Sequence, residues 1–203
     1  MSPVTPSVLE TQTSFLQHAE RYGEKLQEVF TAFDWQPVSI LADTLEHAWK
    51  HGHQVFLCGN GGSAANATHL ANDYLYGIGA GEGPGLRVNA LTANPAVLTC
   101  LANDVHYEQV FSAQLSVLAK PDDVLIALSG SGNSPNIVQA LKMGQEMAMK
   151  TFAILGYSGG KALSLAEVPI HFPIDDMQIA EDLQLMVGHM LMQWLQSRRL
   201  SQV

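Results

Sequence analysis

The stretch DDVLIALSGSGNSPNIVQAL, at residues 122–141, contains a continuous apolar run, then a loop of small residues, then an amphipathic pattern. The apolar run at 124–128 is typical of a strand whose two faces are both covered. The spacing of the residues after the loop predicts a helix at 134–148. A strand, a short loop and a helix in this order form one repeating unit of a doubly wound α/β sheet.

The same alternation extends over most of the chain. Further apolar runs predict strands at residues 54–58, 86–91, 151–155 and 168–172. Helical spacing predicts helices at residues 63–76, 94–103, 107–119, 161–166 and 177–198. We therefore predict a doubly wound α/β fold, in which ligands bind outside the carboxyl ends of the strands.

Two helical patterns, at residues 7–33 and 38–50, precede the first predicted strand. They predict an N-terminal helical hairpin whose apolar faces must pack against something, for which another subunit is a candidate. We accordingly divide the chain into a helical segment at 1–53 and an α/β domain at 54–203, which together form one structural unit.

The composition narrows the functional classes. The chain has 203 residues, 47% of them apolar, which is enough for one domain with a substantial core. Ten Lys and Arg against nineteen Asp and Glu give a net charge of −9, and no basic run supports direct nucleic-acid binding. No apolar stretch reaches the ~18–20 residues of a membrane span, and the N-terminus lacks a signal-peptide pattern. Two cysteines, Cys58 and Cys100, suggest reduced thiols, so we expect a cytoplasmic protein.

The first loop, CGNGGSAAN at residues 58–66, follows the first predicted strand directly. Its glycines let the backbone approach an anion, and the next helix offers that anion free N–H groups. Gly59, Gly61 and Ala64 also match a relaxed dinucleotide fingerprint, but no carboxylate follows the strand at 86–91 to bind a ribose. A tight turn without a ligand is the remaining alternative.

The second loop, SGSGNS at residues 129–134, follows the strand at 124–128. Serine hydroxyls and exposed backbone amides suit a phosphate or a sugar phosphate. Ser134 could instead serve only as the N-cap of the next helix. The chain has no Walker lysine, so nucleoside triphosphate hydrolysis has no support in the sequence.

With these two loops, the chain resembles the SIS (sugar isomerase) domain family, and within it the bacterial phosphoheptose isomerases. The resemblance rests on CGNGGSAANATHLAND (58–73), LANDVHYEQVFSAQL (101–115), DDVLIALSGSGNSPNIVQAL (122–141), FAILGYSGG (152–160) and His189 in the closing helix. It implies a single SIS domain with a five-stranded parallel sheet flanked by helices, and a homotetramer with ligand sites between subunits. It also implies isomerisation of sedoheptulose 7-phosphate to D-glycero-D-manno-heptose 7-phosphate through an enediol, the first step toward lipopolysaccharide heptose.

The resemblance also implies which residues contact the phosphosugar. These are Asn60, Gly61, Gly62, Ser63, Asn103, Asp104, Ser129, Gly130, Ser131, Ser134 and Glu181. Gly130 stands where the isomerases typically have threonine, so one hydroxyl is missing from the group that holds the phosphate.

A set of histidines and carboxylates carries the implied chemistry. His69 and Asp73 are four residues apart in a predicted helix and so share one face, although an isolated histidine is more often structural. The resemblance implies Zn²⁺ ligands at His69, Asp73, Glu181 and His189, with Asp73 as catalytic base and His189 as the opposing acid/base. Aspartate replaces the family's glutamate at 73, and glutamate replaces its glutamine at 181. Imidazole and carboxylate are nonetheless suitable zinc ligands.

A second branch of the same family offers an alternative that is not an enzyme. The run Ser63-Ala-Ala-Asn66 resembles the DnaA initiator-associating protein, which binds the replication initiator and lacks the catalytic glutamate. The Gly61-Gly62 pair and the carboxylate of Asp73 resemble the isomerases instead. The sequence thus predicts a phosphosugar isomerase, with a non-catalytic phosphosugar-binding scaffold as the alternative.

Overall fold

The computed structural model describes residues 14–79 and 83–200 and divides into two compact units, one ending at Phe33 and one beginning at Asp34. The predicted helical residues 7–13 lie outside the described part. In the first unit, α1 (Phe15–Ala32) begins with a capping box, in which Ser14 and Gln17 bond reciprocally to each other's backbone N–H.

The second unit contains the predicted alternation of helices and strands. Its elements are α2 (Gln36–His51), β1 (Gln54–Cys58), α3 (Gly62–Asn72), β2 (Arg87–Ala90), α4 (Pro95–Asp104), α5 (Ser112–Leu118), β3 (Val124–Ser129), α6 (Pro135–Glu146), β4 (Lys150–Leu155), α7 (Ala162–Leu165), β5 (Val168–His171) and α8 (Met177–Leu200). The expected boundary at 53/54 differs from the division after Phe33, because α2 packs with the sheet and α8.

The five strands form one parallel sheet in the order β2-β1-β3-β4-β5, which confirms the predicted fold class. From β1 the chain adds β2 on one side, then crosses back to add β3 on the other side. β1 and β3 pair directly, from Val55 with Val124 to Cys58 with Ala127. Ligands of doubly wound folds bind in the crevice at such a reversal. The first and second loops leave the sheet at this point.

Helices cover both faces of the sheet, as the continuous apolar strands require. All six residues of β3 are buried. Alternate strand residues such as Phe56, Leu125 and Ala153 pack with α5 and α6 in one core. The residues between them face the opposite side, where α2, α3 and α8 pack together.

Two predicted helices have more complex forms. The predicted helix at 63–76 ends as α3 at Asn72 and continues as a π-helix, Asp73–Gly77, in which the N–H of Ile78 donates to the carbonyl of Asp73. The carbonyl of Tyr74 accepts a hydrogen bond from Leu86, outside the helix. The predicted helix at 107–119 begins with a 3₁₀ turn, Tyr107–Gln109. Among the described helices, none has the length and apolar character needed to span a membrane.

Candidate active site

The first loop presents the N-terminus of α3 at the carboxyl end of β1. Gly61 has a φ of 55°, a conformation that glycine adopts without steric cost, and its carbonyl accepts the N–H groups of Ala64 and Ala65. The earlier N–H groups of the helix have no partner within the helix. Free N–H groups at a helix N-terminus favour an anionic group, so anion binding at this end of α3 stays a prediction.

Asn60 connects the two loops through its side chain. It exchanges two hydrogen bonds with Asn136, at 2.9 and 2.8 Å, and also accepts one from the hydroxyl of Tyr107 at 2.9 Å. Asn136 lies in the first turn of α6, directly after the second loop. The sequence analysis did not single out Asn136 or Tyr107, because nothing in their spacing connects them to residue 60.

The three serines of the second loop have different environments. Ser129 is buried, and its hydroxyl accepts the N–H of Gly132 at 3.0 Å, so it shapes the loop. The hydroxyl of Ser131 accepts the N–H of Asn133 and keeps its own proton available. Ser134 occupies the N-cap position of α6, but its side chain makes no capping hydrogen bond. Ser131 and Ser134 therefore remain able to donate to a ligand.

Three side chains converge between α3 and α8. The Nε2 atoms of His69 and His189 are 2.9 Å apart, and Oδ2 of Asp73 lies 3.3 Å from the first and 3.4 Å from the second. The two imidazoles are about half exposed, whereas the Asp73 side chain is 17% exposed. We call these three residues the histidine–aspartate cluster.

Close packing of α3 against α8 brings the cluster together. Gly188 lies directly against the side chain of Leu70, where a Cβ atom would overlap it. The hydroxyl of Tyr74 donates to the carbonyl of Gly188 at 3.2 Å, which links the π-helix to the turn that carries His189. Asp73 directly precedes Tyr74, and His189 directly follows Gly188, so this hydrogen bond holds the two cluster residues close together.

A buried polar network forms a second connection between α3 and α8. The side chain of Asn66 donates to the Oε1 atom of Gln184 and to the carbonyl of Glu181, both at 3.0 Å. Gln184 in turn donates to the hydroxyl of Ser63 at 3.1 Å. Ser63 is buried in this network, so its side chain supports the helix pair, and its expected contact with substrate stays a prediction.

Glu181 is separate from the cluster. It precedes His189 by eight residues, which corresponds to about 12 Å along the helix axis. Its carboxylate lies against Gly62, in the first turn of α3, so that a Cβ atom at this position would overlap it. The expected four-residue ligand set is thus a set of three in the described structure, with Glu181 beside the first loop.

Asn103 and Asp104 lie at the exposed end of α4. Asn103 donates to Asp104 at 2.7 Å, and this bond, with a second from Cys100, lowers the pKa of the Asp104 carboxyl. The bond to Asp104 raises the pKa of the Cys100 thiol. No hydrogen bond within the described residues connects Asn103 or Asp104 to either loop.

The donor set of the cluster fits a tetrahedral zinc ion. Zinc bonds of about 2.0–2.2 Å to imidazole nitrogen and carboxylate oxygen imply ligand atoms roughly 3.3 Å apart in a tetrahedron. The three separations of 2.9, 3.3 and 3.4 Å are close to that value. Cys58 does not belong to this group of side chains, and burial raises the pKa of its thiol to about 12.

Comparisons with known proteins all match this chain to one family. The family model described as "SIS domain" matches residues 17–156. The phosphoheptose isomerase of Helicobacter pylori (strain P12) is 36% identical over 180 residues, which cover 89% of this chain and 91% of the relative. The phosphoheptose isomerase of Akkermansia muciniphila is 40% identical over 156 residues, which cover 77% and 80%.

Solved structures show the same similarity. A phosphoheptose isomerase from Francisella tularensis superimposes with a TM-score of 0.84 at 26% identity, over 91% of this chain and 100% of that one. The phosphoheptose isomerase GmhA from Neisseria gonorrhoeae superimposes with a TM-score of 0.81, with the same identity and coverage.

Proposed function

Because the chain belongs to the SIS-domain family and, within it, to the phosphoheptose isomerases, we propose that it converts sedoheptulose 7-phosphate to D-glycero-D-manno-heptose 7-phosphate. The observation that carries this proposal is the histidine–aspartate cluster, which combines a carboxylate base with two imidazoles. Relatives named phosphoheptose isomerase support an aldose–ketose isomerase. Nothing in the site or the comparisons favours a non-catalytic scaffold that binds the replication initiator.

The reaction moves one proton from C1 to C2 of the sugar and a second proton from O1 to O2. Removal of a proton from C1 of the ketose and protonation of the C2 carbonyl oxygen give an enediol. Return of a proton to C2 and loss of the O1 proton then give the aldose. Asp73 is the carboxylate base in this scheme, and His189 is the acid/base opposite to it.

The shorter aspartate is compatible with this role. Its Oδ2 atom already lies within 3.4 Å of both imidazoles, while Oδ1 accepts only a 3.4 Å bond from Asn72. Asp73 also begins the π-helix, and π-helical turns are frequent at functional sites. The aspartate therefore reaches both imidazoles from the first residue of the π-helix.

The two loops bind the phosphorylated end and the neighbouring hydroxyls of the sugar. Ser131 and Ser134 donate to the phosphate together with the backbone N–H of Asn136 in the first turn of α6, since Pro135 has no N–H and those of Ile137 and Val138 donate to Ser134. Asn60, Gly61 and Gly62 contact the sugar from the first loop. We assign Asn103 and Asp104, at the exposed end of α4, to the same substrate site on the resemblance alone.

His69, Asp73 and His189 would hold a Zn²⁺ ion. A bound zinc ion would polarise the carbonyl group of the sugar as a Lewis acid. His69 then serves only to bind the ion, whereas Asp73 and His189 also exchange protons with the sugar.

We also propose a cytoplasmic homotetramer with sites between subunits. The π-helix that begins at Asp73 exposes 58% of Leu75 and 68% of Tyr76, which is unusual for large apolar residues beside a polar site. Contact with a neighbouring subunit would cover them. Sedimentation equilibrium should give four times the chain mass of 22.0 kDa, and the mass of a single chain would contradict the assembly.

The Asp73→Asn variant tests the proposed base. We expect it to reduce turnover of sedoheptulose 7-phosphate by about 10²–10⁴-fold, because the amide cannot accept the proton, and to leave binding of the sugar phosphate within a few fold. The measurement combines a coupled assay of aldose formation with calorimetric titration.

The matched control is Asp43→Asn, on the exposed face of α2. This variant should keep the turnover of the unmodified chain. Equal turnover in Asp73→Asn and Asp43→Asn would remove Asp73 from the mechanism.

A further inference from the structure

The third loop, residues 156–161, supports the second loop from the end of β4. The N–H of Gly156 donates to the carbonyl of Gly130 at 2.9 Å. The N–H of Lys161 donates to the side chain of Asn133 at 3.1 Å, and Ala162 just beyond it donates to the carbonyl of Gly132. The shape of the second loop is therefore defined in part by the third.

Tyr157 has an unusual backbone conformation in the third loop. Its φ is 43°, in the left-handed region that bulky residues rarely occupy. Two hydrogen bonds hold it there: its N–H donates to the carbonyl of Ile174 at 3.0 Å, and its carbonyl accepts from Nε2 of His171 at 2.9 Å. Glycine would adopt this conformation more easily, so the tyrosine side chain needs a separate explanation.

The ring of Tyr157 lies beside the one residue of the Ser-Gly-Ser sequence that has no side chain. A Cβ atom on Gly130 would be 3.8 Å from Cε2 of Tyr157, which is next to the carbon that carries the hydroxyl. The same Cβ atom would be 2.6 Å from Sδ of Met177. The space above Gly130 is thus bordered by a phenol and a thioether, and only the phenol can donate a hydrogen bond.

The hydroxyl of Tyr157 is available for a ligand. The ring is half-buried, and the hydroxyl makes no hydrogen bond to any residue in the described part of the chain. Ser131 follows Gly130 directly in the second loop, and Ser131 and Ser134 both retain hydroxyl protons that can be donated. A phosphate bound in this loop could therefore accept from the serines and from a phenol beside Gly130.

We propose that Tyr157 is a substrate-binding residue whose phenol donates a hydrogen bond to the phosphate group in the second loop, in place of the hydroxyl that Gly130 cannot supply. The inference rests on the proposed function, because it assigns a further contact to the same phosphosugar. It also explains why tyrosine is found at a position whose backbone favours glycine.

Two substitutions separate the hydroxyl from the backbone. Tyr157→Phe removes only the oxygen, and should raise KM for sedoheptulose 7-phosphate about tenfold with kcat within about twofold, since a bond to a charged group is lost. The affinity for inorganic phosphate should fall by a similar factor. Tyr157→Gly should give the same losses with a urea midpoint equal to or above that of the unmodified chain.

Ala148→Gly is the matched control. Ala148 also has a positive φ, of 55°, but it precedes the amino end of β4, whereas the loops of the site follow the carboxyl ends of the strands. It should relieve the same kind of backbone strain without changing KM or phosphate affinity.

Unchanged KM and phosphate affinity in Tyr157→Phe would overturn the proposal, even if Tyr157→Gly binds more weakly, because the effect would then come from the ring alone. The phosphate titration keeps this test independent of the reaction. Loss of phosphate affinity in Tyr157→Phe without turnover in any variant would support the contact and contradict the isomerase. Normal turnover in Tyr157→Phe with unchanged phosphate affinity would support the isomerase and contradict the contact.

Discussion

At the scale of single residues, the site separates groups that hold the phosphate from groups that move protons. Ser131 keeps a hydroxyl proton for the ligand, whereas Ser129 is used within the loop. His69, Asp73 and His189 form the reactive group, and His69 and Asp73 lie at the end of α3 that is away from the first loop. Substitutions in the two groups should therefore affect different kinetic constants.

Ser131→Ala should weaken binding first. Loss of one donor to a charged phosphate should raise KM by roughly 10-fold and leave kcat nearly unchanged. Ser116→Ala is the control, because Ser116 is exposed on α5 and bonds only to the carbonyl of Ala113. A fall in kcat with unchanged KM for Ser131→Ala would contradict its role in the phosphate site.

The position of Glu181 gives a prediction about metal binding. Because its carboxylate lies beside Gly62 and outside the cluster, Glu181→Gln should bind zinc with nearly the affinity of the unmodified chain. His69→Ala should weaken zinc binding by at least about 10-fold, since it removes one of three ligands. Calorimetric titration with Zn²⁺ measures both. Equal losses in the two variants would restore Glu181 to the ligand set.

At the scale of elements, the contact between α3 and α8 determines whether the cluster forms. Gly188 permits this contact because it has no side chain where the two helices meet at Leu70. The buried bonds among Asn66, Gln184 and Ser63 fix the same pair of helices further along. A change at the contact should therefore alter stability and activity together.

Gly188→Ala should destabilise the fold by about 1–3 kcal/mol and lower kcat, because the added methyl group pushes α8 away from α3. Adding Leu70→Ala should give a loss smaller than the sum of the two single effects. Urea unfolding and the coupled assay measure the outcome. Gly23→Ala is the control, since no atom lies within 4 Å of the added methyl group. If the losses of unfolding free energy in the two single variants simply add in the double variant, Gly188 and Leu70 are not in tight contact.

The sequence predicts the elements better than the site that they form. Continuous apolar strands and small-residue loops are local signals, so the parallel sheet and both loops follow from them. The spacing of four between His69 and Asp73 is also local. The approach of His189, the burial of Ser63 and the link from Asn60 to Asn136 depend on tertiary packing between residues 76 to 121 positions apart, which no spacing rule contains.

The π-helix and the conformation of Tyr157 were also beyond sequence analysis. Both depend on hydrogen bonds from distant segments, from Leu86 to Tyr74 and from Tyr157 to Ile174. The expected zinc role of Glu181 came from the resemblance alone. Within the described residues, Glu181 lies beside Gly62 and outside the group formed by His69, Asp73 and His189.

At the scale of the whole molecule, an ionic contact joins α2 to α8. Oε1 of the buried Glu46 is 2.7 Å from Nζ of Lys50 and 3.5 Å from Nε of Arg198. The hydrogen bond from Lys50, with the charge of Arg198, lowers the pKa of Glu46 despite its burial. The folded state therefore holds this proton less tightly than the unfolded chain does.

The sign of this pKa shift gives a pH dependence. The stabilisation is present above the unfolded pKa of about 4.3 and is lost as the pH falls through the lower folded pKa. Glu46→Gln should cost about 1 kcal/mol at pH 7, and the difference from the unmodified chain should shrink below pH ~4. Urea unfolding at several pH values measures this, with the exposed Glu146→Gln as control. A difference independent of pH would contradict the ionic contact.

The most direct test of the proposed isomerase is the fate of sedoheptulose 7-phosphate in D₂O, followed by NMR with the zinc-loaded chain. An enediol that is reprotonated at C2 by a group in exchange with solvent should give D-glycero-D-manno-heptose 7-phosphate carrying deuterium at C2. Asp73→Asn should leave the sugar unchanged. Sugar that binds to the unmodified chain but is neither converted nor labelled would contradict the account.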